Sequence, residues 1–192
     1  MPRRPLTELE IAEARLVFGD GLDYTRAHVF EGATWTDYVD RLGAFIQKRK
    51  RGAADHNAIT LGDTSYFPIP IRTSADVLAR GDLGHITWLI HELTHQWQYQ
   101  HMGWRYLRLA LHVQLTEGRR SYDYKREHAT REDALKAAKQ LGRKFANFNL
   151  EQQGDIARDY YFSLKQKLDC TPWEPFIEEM QKARRVNARK EP

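Results

Sequence analysis

Apolar residues first recur at helical spacing in LTELEIAEARLVFGDG, residues 6–21. Thr7 and Glu10 stand in the relation of a capping box at its start, and Gly19 offers a stop, so the stretch predicts a helix. TRAHVFEG, residues 25–32, then reads as a short strand. In TWTDYVDRLGAFIQKRK, residues 34–50, Tyr38, Val39, Leu42, Phe45 and Ile46 return to the helical period. AITLGDTSYFPIPI, residues 58–71, switches to the alternation of a hairpin: Ile59 and Leu61 lead in, Gly62-Asp63 turns, and Tyr66-Phe67 returns. Pro68 and Pro70 end the pairing or mark an edge.

From residue 75 onward the pattern is almost entirely helical. ADVLARGDLGHITWLIHELTHQWQYQ spans 75–100, and its Ile86, Leu89, Ile90, Leu93 and Trp97 form a core-facing stripe. GWRYLRLALHVQL, residues 103–115, predicts a second long helix, followed by an aromatic loop in RSYDYKREH. Helices are then expected over 131–148, over 149–168 with Asn149 as cap and Gln152 at the third position, and over 171–185, before a frayed tail at 187–192. Small strands first and helices after make an α+β pattern in a single domain, residues 1–192.

Composition narrows the function classes. With 29% charged residues, no apolar run reaches the roughly 20 residues that span a bilayer. The N-terminus has basic residues without an apolar stretch behind them, so no secretory signal is expected. That leaves a cytoplasmic protein or one exported by a leaderless route. Cys170 is the single cysteine, which excludes an internal disulfide, and it reads as a packing residue near a helix end. The formal charge of +4 is mild, and the basic run Lys48 to Arg51 reads as a solvated loop, so neither a membrane nor a nucleic-acid partner is expected.

The chemistry lies in His91-Glu92-Leu93-Thr94-His95, an HExxH pattern. On a helix, positions four apart share a face, so two neutral imidazoles can converge on one cation. Glu92, one step round, can lean toward a bound water as general base without being a ligand. Catalytic zinc sites take three protein ligands. Glu151 and Asp155, one turn apart on a later expected helix, offer two readings. Either Glu151 completes a His-His-Glu set with Asp155 supporting a ligand histidine, or both are solvated carboxylates. His85, His101 and His112 are set aside as ligands by their position on the helices.

HExxH followed by a helix carrying ExxxD resembles the gluzincin division of zinc metallopeptidases. The resemblance implies Zn²⁺ held by His91, His95 and Glu151, Glu92 as general base and Asp155 bonded to a ligand histidine. It also implies a zincin-like fold, in which the edge strand of a small sheet pairs with an extended substrate beside the HExxH helix. The 58–68 hairpin is the expected edge. Segments at 6–29, 58–68, 89–100 and 148–161 further resemble a small bacterial zincin-like family related to spike proteins of type VI secretion or to injection-system core domains. Residues 32–57 depart from it and read as an insertion. A peptidase also needs a donor for its tetrahedral intermediate. Tyr122, Tyr124, His128, Tyr160 and Tyr161 are candidates, with Tyr124 preferred. The expected function is therefore zinc-dependent hydrolysis of a peptide or protein substrate. The alternative is a non-catalytic, zinc-stabilised module that partners a secretion apparatus.

Overall fold

A computed structural model of the chain describes residues 3–36, 57–103, 124–125 and 127–183. The helices expected over 34–50 and 103–115, the basic run 48–51, Tyr122, His112 and the tail at 187–192 lie outside these residues, apart from the first helix's opening positions and the second's Gly103. Within them the fold is mixed α and β, a small sheet with a mostly helical remainder, as the sequence pattern implies. Among the described residues, no helix is long and apolar enough to cross a membrane.

The chain enters through a two-residue strand β1 (Arg4–Pro5) that the sequence pattern does not announce, then forms α1 (Glu8–Phe18). Thr7 and Glu10 make the full capping box, each side chain bonded to the other's backbone N–H. Glu10 is fully buried, and its carboxylate also accepts from the Arg4 guanidinium and the Thr73 hydroxyl. Burial pushes this carboxyl up. The Arg4, Thr7 and Thr73 donors outweigh burial and hold it below its ordinary value. Arg4 also reaches Glu31, tying the N-terminus to the sheet.

Strands β2 (His28–Glu31), β3 (Ile59–Leu61) and β4 (Thr64–Phe67) complete a four-stranded sheet in the order β1-β2-β4-β3. β2 runs parallel to β4, while the β1–β2 and β3–β4 pairs are antiparallel. The β3–β4 hairpin closes through Gly62-Asp63. Gly62 has φ of 63° while Asp63 does not enter the left-handed region, the signature of a type II′ turn. That turn makes Leu61 and Thr64 the hydrogen-bonded closing pair. Thr60 and Ser65 are then a non-hydrogen-bonded pair, and the Thr60 N–H and C=O point away from β4. Among the described residues, β3 is the sheet's outer strand on that side.

A short helix α2 (Ala75–Ala79) leads into α3 (Gly84–Met102), which runs through the centre of the protein. Ile86, Leu89, Ile90, Leu93 and Trp97 are buried, as the stripe implies, but so are all residues from His91 to Gln98. A helix polar on one side yet buried all round must satisfy its polar groups internally. The sheet covers one side: Gln96 Nε2 donates to Ser65 Oγ at 2.7 Å and to the His28 carbonyl at 3.0 Å. α5 (Leu150–Lys165) covers the other.

Between them comes α4 (Arg131–Gln140), capped by Thr130. The helix expected over 131–148 ends at Gln140. Gly142 turns the chain with φ of 68°, and a short 3₁₀ turn at Phe145–Asn147 follows. Asn149 and Gln152 form the expected capping box on α5. α6 (Glu174–Lys182) starts with Pro at its first turn and packs Phe176, Ile177 and Met180 into the core shared with Val17 and Phe18 of α1 and Tyr161 of α5. Leu93 is fully buried on α3 within this core. Leu93→Ala is expected to lower unfolding stability by about 2–5 kcal/mol, read from the midpoint of a urea titration.

Candidate metal centre

The one-turn spacing of His91 and His95 on α3 sets both rings on the face that meets α5, with centroids 5.0 Å apart and planes 79° apart. The N-terminal turn of α5 brings Glu151 between them. Its Oε2 lies 3.4 Å from His91 Nε2 and 3.6 Å from His95 Nε2. One ligand atom from each of the three residues falls within 4.8 Å of the others, a spacing that one ion can bridge. Among the described residues this is the one such group of three.

The far nitrogen of each histidine faces a polar side chain, and this tests whether the residues suit a cation. His95 Nδ1 lies 2.9 Å from Gln98 Oε1. The Gln98 amide nitrogen donates to the Leu150 carbonyl and to Gln153 Oε1, both at 2.9 Å, so Oε1 is the accepting end and His95 Nδ1 must carry the proton. Gln153 in turn donates to the Phe145 and Phe148 carbonyls. This chain of amides leaves the lone pair of His95 on Nε2, the atom facing Glu151. His91 Nδ1 lies 3.1 Å from Asp155 Oδ1, off the line of a well-formed hydrogen bond, and its Nε2 likewise faces Glu151. Two imidazoles, their far nitrogens turned to polar side chains, and a carboxylate fit a metal ion.

Electrostatics agree with that fit. Burial pulls the His91 imidazolium down, but the Asp155 and Glu151 carboxylates outweigh it and raise His91 to about 10. His95 is raised in the same way, burial opposing and Glu151 prevailing. Burial pushes Glu151 up, while the two histidines hold it well below the carboxylate range. In the metal-free protein, protons therefore balance a negative pocket that a cation would otherwise balance.

Glu92 is buried, 5% exposed, and points to the sheet rather than to α5. Its Oε2 accepts from Thr60 Oγ1 at 2.7 Å, and Thr60 Oγ1 lies 2.8 Å from Ser65 Oγ. Because Gln96 donates to Ser65, the Ser65 proton is free for Thr60 and the Thr60 proton for Glu92. The chain of donors ends on the carboxylate.

The other candidates have different surroundings. Tyr124 is 3% exposed, its hydroxyl donating to Asp159 Oδ2 at 2.7 Å and accepting from Trp173 Nε1 at 3.0 Å. The expectation that Tyr124 faces a cleft as an oxyanion donor finds no support there, since its hydroxyl is engaged inside the protein. Tyr161 donates to Glu13 in the core, and His128 sits in an exposed turn. His85 accepts from the Arg72 backbone N–H, while His101 stacks on Trp97, so neither joins the centre. Cys170 is half-buried just past α5.

Sequence reading passed over five residues here: Thr60, Gln98, Gln153, Gly154 and Arg158. Gly154 carried a signal, because glycine inside an amphipathic helix costs about 1 kcal/mol relative to alanine and calls for a packing reason. The reason is the His91 ring. A Cβ on Gly154 would stand 2.7 Å from His91 Cε1 and 2.8 Å from Nδ1.

The chain is similar to the type VI secretion system spike protein VgrG2b of Pseudomonas aeruginosa, 32% identical over 158 residues. Those residues are 82% of this chain and 13% of the spike protein, so the chain spans only a small part of its relative's length. No protein-family model matches the chain, and no solved structure matches it.

Gly154→Ala is expected to weaken binding of added zinc at least tenfold in a chelator-competition titration, despite alanine's better helix propensity. Acidity should act in a defined direction. Metal displaces the His91 proton, so zinc affinity rises with pH from 7 toward 10, by roughly tenfold per unit for one proton. In the metal-free protein the sign reverses. The raised His91 value contributes stability that is fully present below about 6.5 and is lost as pH rises through about 10, read from thermal melts with and without zinc.

Proposed function

We propose that this chain is a zinc-dependent peptide-bond hydrolase with a gluzincin-like site on a zincin-like fold. The observation that carries the reading is the convergence of His91, His95 and Glu151 beside a general-base candidate, Glu92, tied to the outer strand of the sheet. Zn²⁺ held by the three residues supplies a Lewis acid that polarises a carbonyl and makes water more acidic.

The remaining chemistry belongs to the chain. Thr60 directs its backbone N–H and C=O to the side of β3 away from β4 and its hydroxyl to Glu92. An extended peptide that adds to β3 would thus be read by its backbone next to the base, in the manner of β-augmentation. Glu92 accepts a proton from the attacking water as the water oxygen bonds to the scissile carbonyl carbon. It then delivers that proton to the amine nitrogen as the C–N bond breaks, leaving a carboxylic acid and an amine. Burial and the Thr60 bond keep the carboxylate in one place between these two transfers. Asp155 orients His91, and the Gln98–Gln153 pair orients His95.

A second reading rests on the similarity to a spike protein, which extends over 82% of the chain. In it the domain is a module carried by a secretion apparatus, and zinc serves the fold alone. The two readings part on Glu92. Glu92→Gln should retain one zinc per chain, measured by elemental analysis, and lose at least a hundredfold of hydrolysis on a mixed peptide library analysed by mass spectrometry. His91→Ala should lose the zinc. If zinc-loaded wild-type protein cleaves no peptide in that library, the hydrolase reading fails and the structural one stands.

A further inference from the structure

Resting on the metal reading above, we propose that Arg158 is a positioning residue of the metal centre, holding the Asp155 carboxylate in the place from which it orients His91. Glu151, Asp155 and Arg158 follow one another at intervals of four and three along α5, so all three lie on the face that meets α3. Asp155 is 3% exposed, and its Oδ1 is approached from two sides, by His91 Nδ1 at 3.1 Å and by Arg158 Nη1 at 2.8 Å. Neither contact lies on the line of a well-formed hydrogen bond, and the guanidinium, the nearer of the two, acts on Oδ1 through its charge.

Arg158 is itself held from behind. Its Nε and Nη2 lie 3.2 and 3.1 Å from Asp159 Oδ1. Asp159 Oδ2 accepts from Tyr124 Oη and from Arg131 Nη1, both at 2.7 Å, and Tyr124 is anchored by Trp173. Charges alternate along this line: Asp155, Arg158, Asp159, Arg131. The planar fork of arginine serves two carboxylates at once, which a lysine ammonium cannot do with the same geometry. Without the fork, Asp155 is a buried carboxylate whose Oδ1 keeps, among the described residues, only a misaligned imidazole beside it. Such a group moves toward water, which releases His91. The line also gives Tyr124 a use as the rear anchor of the arginine that steadies the site.

The test needs no substrate. Zinc affinity is measured by chelator competition for wild type, Arg158→Gln and Arg158→Lys, with circular dichroism of the metal-free proteins to verify that each is folded. The absorption spectrum of the cobalt-loaded proteins reports the ligand geometry. Arg158→Gln is expected to bind zinc at least tenfold more weakly and to show an altered cobalt spectrum. Arg158→Lys, which keeps the charge and can reach one carboxylate, should recover part of that loss. Equal affinities and superimposable cobalt spectra for all three proteins would overturn the proposal while leaving the metal reading intact. Failure of wild type to take up zinc would overturn both.

Discussion

The His91 imidazole lies against bare backbone at Gly154, and the arrangement around the centre depends on that contact. It sets how closely α3 and α5 approach. At that separation Glu151 Oε2 reaches both Nε2 atoms, Asp155 meets His91 Nδ1, and Gln98 meets Gln153. A wider gap would break all of these together, because each is a contact of 3.6 Å or less between the same two helices. The cost of a glycine in mid-helix is small beside the number of buried polar groups that the close approach satisfies.

Burying a polar helix face is expensive unless each group finds a partner, and α3 meets this demand in two directions. Toward the sheet, Gln96, Ser65, Thr60 and Glu92 form a line of donors that ends on a carboxylate. Toward α5, Gln98 and Gln153 pass hydrogen bonds to the carbonyls of the turn before that helix. The two lines differ in consequence. One holds a carboxylate beside the sheet's outer strand, while the other decides which nitrogen of His95 carries its proton. The stability of the core and the chemistry of the site thus draw on the same hydrogen bonds.

The similarity to a type VI spike protein and the geometry of the centre bear on different questions. The first concerns which protein the chain is similar to, the second what its residues can hold. What they can hold is one metal ion, bridged by the His91, His95 and Glu151 ligand atoms.

Local pattern was enough for the elements whose signals are local. The Thr7–Glu10 and Asn149–Gln152 capping boxes, the Gly62-Asp63 turn, the buried stripe of α3 and the one-turn spacings of His91 with His95 and Glu151 with Asp155 could all be read from neighbours in the chain. α4 ends sooner than its helical period implies, because Gly142 turns the chain while the period continues past it. β1 was invisible, since two residues carry no period and exist as a strand only by pairing with β2. What the tertiary structure alone decided was which distant groups meet. Thr60 finds Glu92 only because β3 lies across α3, and Arg158 matters only because Asp155 and Asp159 flank it while Arg131 and Tyr124 come from another segment. Spacing along one helix is a property of the sequence, whereas contact between helices depends on the volumes packed between them, here the single missing Cβ of Gly154.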